Sequence, residues 1–237
     1  MRAVADLLDL VFPRRCAGCD REPPGRGPFC AACEVALAEV RSPRCTICGE
    51  PFGRAGSDHP CGRCTRAAPP FRLARAPYLY GGPLADAIRR MKYAGRPEIA
   101  ASVAPLLFQE AEALVADVIL PVPLSLRRLW SRGYNQSALL ASRLARTVGR
   151  PLDTDSLRRV RDGPPQAGRA RTARVEAVRK SFAVPRRRVN RIAGRRVLLV
   201  DDVLTTGATA SAASRALLHA GASEVLVLTL ARAGEPS

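Results

Sequence analysis

The chain has 237 residues, 47% of them hydrophobic, and a formal charge of +17 from 38 Lys and Arg against 21 Asp and Glu. No apolar run approaches the about 20 residues of a membrane-spanning helix, so composition argues for a chain without a transmembrane segment. The positive charge favours anionic partners, phosphates or nucleic acid, although joint enrichment in Arg, Ala, Gly and Pro is also what GC-rich coding produces.

The eight cysteines all precede residue 65 and form four C-x-x-C pairs: Cys16/Cys19, Cys30/Cys33, Cys45/Cys48 and Cys61/Cys64. Two such pairs give one zinc its four thiolates, so the set predicts two structural Cys₄ zinc sites. A secreted disulfide framework needs an export signal, and Asp6 and Asp9 interrupt the apolar core that a signal peptide would need. Reduced thiols and a cytoplasmic location are the expectation. Sequential pairing puts Cys16, Cys19, Cys30 and Cys33 on one ion and Cys45, Cys48, Cys61 and Cys64 on the other; interleaved pairing satisfies the same spacing. His59 lies within the second set and reads as a loop residue. The cysteine distribution divides the chain into a zinc-binding part, 1–68, and a second domain, 69–237. Residues 66–77, with Pro69, Pro70 and Pro77, read as the linker between them.

Tyr78-Leu79-Tyr80 is a strand candidate, and Leu84 to Tyr93 carries apolar residues at helical spacing, closed by Lys92 and Tyr93. For Tyr93, simple packing is one of two open readings, the other being a part in the Lys92-Tyr93 pair. Ser102 to Ala116 is a second helical stretch, and Asp117 to Pro123 a strand that stops at Pro-Val-Pro. The following residues read as a loop holding Arg127, Arg128 and Arg132, whose forked donors suit a diphosphate. A helix over Ser137 to Val148 is expected, with Asn135 as cap and Gly149 as stop. Arg158 to Arg174, with Gly163-Pro164-Pro165-Gln166, reads as a mobile surface loop, and Arg186 to Arg196 as a basic hairpin.

Val197 to Val200 is a short apolar run suited to a strand buried on both faces, and Asp201 and Asp202 close it. Thr205, Thr206, Gly207, Ala208 and Thr209 then lead into an Ala-rich helix to Ala220. Gly207 lets backbone approach a ligand, and the helix N-terminus offers amides to an anion, best a phosphate. The carboxylates cannot hold phosphate; they accept hydrogen bonds from ribose hydroxyls or help carry magnesium. An apolar run closed by two Asp also occurs on the magnesium strand of ATPases, but no G-x-x-x-x-G-K-[ST] is present. Glu224 to Leu230 supplies a last strand, giving a parallel sheet of about five strands.

The run Val197 to Thr209 resembles the phosphoribosyl diphosphate (PRPP) motif of type I phosphoribosyltransferases. With Pro121-Val122-Pro123-Leu124, Arg132-Gly133-Tyr134-Asn135-Gln136, Gln166, Met91-Lys92-Tyr93-Ala94-Gly95 and the cysteine pairs, the resemblance narrows to the ComF family of competence-associated proteins. It implies an α/β type I phosphoribosyltransferase fold, a parallel-sheet Rossmann-like core, preceded by a small double zinc-ribbon domain. It further implies catalytic roles for Asp201 and Asp202, PRPP binding by Thr205 to Thr209, Arg127 and Arg128, and a flexible loop with Gln166 and Arg174. Mg²⁺ would accompany PRPP. Natural transformation is the implied setting, with single-stranded DNA and DNA-uptake proteins as partners. Where the family carries Asn after the loop arginine, this chain has Arg174-Val175-Glu176. No segment identifies an acceptor for the ribosyl group, which leaves a non-catalytic PRPP sensor or a DNA-binding module as the second expectation.

Overall fold

A computed structural model describes residues 15–21, 27–53, 56–111, 114–160 and 181–234. Among these the strands are β1 (Leu73–Arg75), β2 (Tyr78–Leu79), β3 (Val118–Pro121), β4 (Arg158–Arg159), β5 (Phe182–Ala183), β6 (Arg196–Leu204) and β7 (Glu224–Arg232). Five of them make one sheet in the order β1-β7-β6-β3, with β2 also on β7, and every pair in it is parallel. β4 and β5 form a separate antiparallel pair.

Period-two alternation explains how strands buried throughout still sort their side chains. Ile119, Leu198, Val200, Leu226 and Leu228 join one apolar cluster, while Val118, Leu120, Val197, Leu199, Val225 and Val227 join another. The sheet thus has a core on each face, as parallel connections require. The first cluster takes in α3 (Gly82–Tyr93), α4 (Glu98–Val103) and α7 (Gln136–Val148); the second takes in α8 (Ala208–His219). α5 (Phe108–Ala111) also joins the first cluster, α6 (Leu126–Arg132) buries no residue, and the cysteine region adds the short α1 (Ala31–Val35) and α2 (Gly62–Arg66).

Several expectations change. Residues 66–77 are not a plain linker, since Phe71, Ala74 and Ala76 are buried and β1 belongs to the sheet. β1 and β2 keep the same register on β7, Leu73 opposite Leu226 and Tyr78 opposite Ala231. They are one edge strand broken at Ala76-Pro77, where proline has no amide for the ladder. The helix expected over Ser102 to Ala116 is instead α4, a 3₁₀ turn over Ala104–Leu107, and α5. Pro105 cannot donate to an α ladder, and the backbone tightens there.

The arginines after β3 lie on a helix and not in a loop. Ser125 Oγ accepts from the Arg128 amide to start α6, and Gly133, at φ 76°, ends it. The basic hairpin expected before β6 is a 3₁₀ helix over Arg186–Arg191, opened by the Arg188 amide donating to the Pro185 carbonyl.

Candidate functional site

At the carboxyl end of the sheet, β3 stops at Pro121 opposite Val200, and β6 runs on to Leu204 beside β7. The strand was expected to close at the two acids; it continues two residues past them. This difference in length opens a cavity of about 1000 Å³ beyond β3, lined by residues of the α3 end, the β3–α6 turn, α6, α7, β4 and the β6–α8 turn. Five of its lining side chains are cationic: Lys92, Arg127, Arg128, Arg132 and Arg159. Facing them are Asp201 and Asp202, with Thr205 and Thr209 alongside.

Asp202 is 4% exposed and held from two helices. Lys92 Nζ from α3 lies 2.8 Å from its Oδ1, and Gln136 Nε2 from α7 donates to Oδ2 at 2.8 Å. Arg132 Nη1 donates to Gln136 Oε1 at 3.1 Å, so a polar chain runs from the cavity rim to the buried acid. Asp201 Oδ1 accepts from Ser137 Oγ at 2.8 Å and from the Asp202 amide at 2.9 Å. The cap of α7 fixes these donors: Asn135 Oδ1 accepts from the Ser137 amide, and Asn135 Nδ2 donates to the Val122 carbonyl at 3.1 Å. Tyr134 Oη donates to the Met91 carbonyl and ties this corner to α3.

Desolvation raises the Asp201 carboxyl to about 7, and the Asp202 charge beside it pushes the same way; the Ser137 hydroxyl, the Asp202 amide and Lys92 oppose them. The site therefore holds one firmly paired carboxylate and one that titrates near neutrality.

Gly207, at φ 78°, turns the chain into α8. Thr206 Oγ1 accepts from the Ala208 amide at 3.4 Å. Thr206, Gly207 and Ala208 form this turn without lining the cavity by their side chains, which leaves only their backbone to face it.

The cysteines gather sequentially. Cys16, Cys19, Cys30 and Cys33 form one group and Cys45, Cys48, Cys61 and Cys64 the other, with the sulfurs of each within 4.8 Å of one another. Amides of Cys48 and Cys61 donate to Cys45 Sγ at 3.4 and 3.2 Å, and the Cys30 amide to Cys16 Sγ at 3.3 Å. Burial alone would raise the Cys16 and Cys45 thiols, but these amide donors outweigh it and pull both down to about 6. Four converging sulfurs, some already carrying N–H donors, fit structural zinc in both groups.

A double zinc ribbon domain family matches residues 7–65, and a phosphoribosyl transferase domain family matches residues 135–236. The DNA utilization protein YhgH of Salmonella typhi is 35% identical over 86% of this chain and 90% of its own. Competence protein F of Haemophilus influenzae is 31% identical over 86% of this chain and 90% of its own. Competence protein ComFC of Bacillus subtilis is 30% identical over 86% of this chain and 83% of its own. The chain belongs to the ComF family. Among solved structures, the allosteric regulatory enzyme of purine biosynthesis aligns with 58% of this chain and 26% of its own at 27% identity, with a TM-score of 0.39.

For this ComF-family chain, Asp201, Asp202, Thr205, Thr209, Arg127 and Arg128 come together at one cavity. Gln166 and Arg174 lie outside the described residues. Tyr93 does not pack in the core: it is 76% exposed, with Arg132 stacked 5.1 Å from its ring. Sequence reasoning named Lys92 and Gln136 without assigning them a role, and missed Ser137 and Arg159. Lys92 carried a signal, being one of only two lysines in a chain whose cations are otherwise arginine. Among the described residues, no helix is long and apolar enough to cross a membrane.

Proposed function

We propose that this cavity binds PRPP with magnesium, and that the chain is a phosphoribosyltransferase-type protein of DNA uptake in natural transformation, acting in the cytoplasm with other competence proteins. The observation that carries the reading is the five cations facing an acid pair beside a helix N-terminus. Thr205 to Thr209 would take the 5-phosphate on backbone amides and hydroxyls, and Arg127 and Arg128 the diphosphate. Asp201 and Asp202 would accept from the ribose hydroxyls. Because Lys92 and Gln136 already occupy both Asp202 oxygens, Asp201 is the acid left to help hold magnesium brought in with the diphosphate, whose charge the ion would offset. When bound it would neutralise leaving-group charge. In this reading residues 1–68 support the cavity and 69–237 form it.

Transfer to a nitrogen nucleophile would break the anomeric C–O bond to diphosphate, form a C–N bond and release a proton. Asp201, raised to about 7, is suited to accept that proton. In the non-catalytic alternative the same pocket senses PRPP. Calorimetry with PRPP and magnesium, paired with a diphosphate-release assay over a panel of bases, separates the two. Binding without release sinks the transferase and leaves the sensor. The double variant Asp201→Ala, Asp202→Ala is expected to lose PRPP binding while keeping two zinc ions per chain; unchanged binding would overturn the site itself.

A second reading, single-stranded DNA binding, is favoured by one feature of the rim. Trp130, the only tryptophan, is 86% exposed on α6 between Arg128 and Arg132, and Arg132 in turn covers the ring of the exposed Tyr93. Base stacking on such rings contributes about 1–3 kcal/mol per base, and phosphate contacts add a salt-dependent share. Titrating oligothymidine is expected to quench Trp130 fluorescence, with affinity falling as salt rises. Trp130→Ala should weaken binding roughly tenfold, the equivalent of about 1.4 kcal/mol. An unquenched Trp130 counts against this surface.

A further inference from the structure

Arg232, the last residue of β7, is 1% exposed and among the largest fully buried side chains. Its Nη2 donates to Glu50 Oε2 at 2.7 Å and to Cys48 Sγ at 3.7 Å. Its Nε and Nη1 meet no partner among the described residues. Arg63 converges on the same two groups, with Nη2 at 3.0 Å from Glu50 Oε2 and 3.8 Å from Cys48 Sγ. Burying a guanidinium is costly without anionic compensation, and Glu50 is partly open to solvent and shared with Arg63. A zinc ion on four thiolates carries a net charge of −2, and this is the compensation the buried end of β7 lacks when only Glu50 is counted.

The other side of Arg232 leads to the phosphate loop. Its Cα partner on β6 is Leu204, and the Ala233 amide donates to the Leu204 carbonyl at 2.9 Å. Thr205 follows at once. A Cβ at Gly207 would meet Leu204 and Phe71 at 3.9 Å, so those two side chains form the floor under the turn. Phe71 and Leu204 share one apolar cluster with Cys45, Cys48 and Cys64.

We propose that Arg232 is a positioning residue that couples the second Cys₄ centre to the Leu204–Gly207 turn: its charge is held by the zinc-bound Cys48 thiolate, and the amide of the next residue, Ala233, holds the end of β6. Arg63 touches the same sulfur from the surface side, on α2, with no backbone link to β6. The metal centre and the anion cavity are thereby joined through one side chain.

The test uses the full-length, zinc-loaded protein without PRPP, so its outcome is independent of what the cavity binds. Two quantities are measured for wild type, Arg232→Met, Arg232→Lys and Arg63→Met: zinc transfer to a chromogenic chelator, and amide hydrogen exchange over residues 203–209. Arg232→Met is expected to speed release of one of the two zinc ions about tenfold to a hundredfold, as loss of a partner to a metal ligand commonly does, and to speed exchange over 203–209. Arg232→Lys should restore part of both. Arg63→Met should speed zinc release and leave 203–209 unchanged. Wild-type release in Arg232→Met overturns the proposal, as does equal disturbance of 203–209 by Arg63→Met. Should Arg232→Met fail to fold, Arg232→Lys and Glu50→Gln decide: faster release and exchange in both supports the coupling, and wild-type values in both refute it.

Discussion

Asp201 and Asp202 are adjacent on β6, yet their surroundings divide them. Lys92 Nζ lies 2.8 Å from Asp202 Oδ1, whereas Asp201, desolvated and beside the Asp202 carboxylate, rises to about 7. An exposed Asp titrates near 3.9, so folding disfavours ionised Asp201. Its contribution to stability is full below about pH 4 and is lost as pH rises through about 7. Asp201→Asn keeps an oxygen for Ser137 and the Asp202 amide but cannot ionise. Its Tm should exceed that of wild type at about pH 8.5 and match it at about pH 4; a difference independent of pH means that the carboxyl is not raised. The sequence made the pair visible, as two acids after an apolar run. It could not say which acid would be neutralised, because Lys92, Ser137 and Gln136 come from distant helices.

At the scale of elements, the cysteine knuckles are fitted to the sheet by close backbone approach. Gly49, directly after Cys48, has φ 68°, and a Cβ there would lie 2.9 Å from the Ala74 carbonyl oxygen of β1. The Ala74 amide also donates to the Ile47 carbonyl at 2.7 Å, so the second knuckle closes the outer edge of the sheet. Gly18 makes a similar approach to Pro83 at the start of α3, where a Cβ would fall 2.7 Å from the Pro83 Cβ. Gly49→Ala is expected to cost about 2 kcal/mol, a loss of roughly 4–8 °C in Tm for a chain of this size. Scanning calorimetry checks it, and an unchanged Tm would mean that the knuckle stands away from β1. Helices bounded by capping signals were legible, as with α7 between Asn135 and Gly149. The arginines of α6 were not, because the run Leu126 to Arg132 is too short to display a helical period and only Ser125 marks its start.

Across the whole molecule, the cysteine region and the sheet share their cores. Cys16 and Cys33 pack in the cluster with Leu84, Ile88 and Met91, and Cys45, Cys48 and Cys64 in the cluster with Leu120, Leu199 and Leu217. Removing zinc is therefore expected to lower a single calorimetric transition and to leave no independently melting sheet domain. Two transitions, with the upper one untouched by chelator, would show that the parts fold separately. The sequence by itself determined the local chemistry: four C-x-x-C pairs, an apolar strand closed by two acids, a Thr-Thr-Gly turn and a large excess of arginine. These are fixed by neighbours along the chain, where spacing alone sets which ligand atoms can converge. Tertiary structure decided the rest: which cysteines share an ion, that residues 73–75 are an edge strand, and that Lys92 and Gln136 hold Asp202. Contacts between residues far apart in the chain follow from how sheet faces and helices pack, and no short-range pattern encodes that packing.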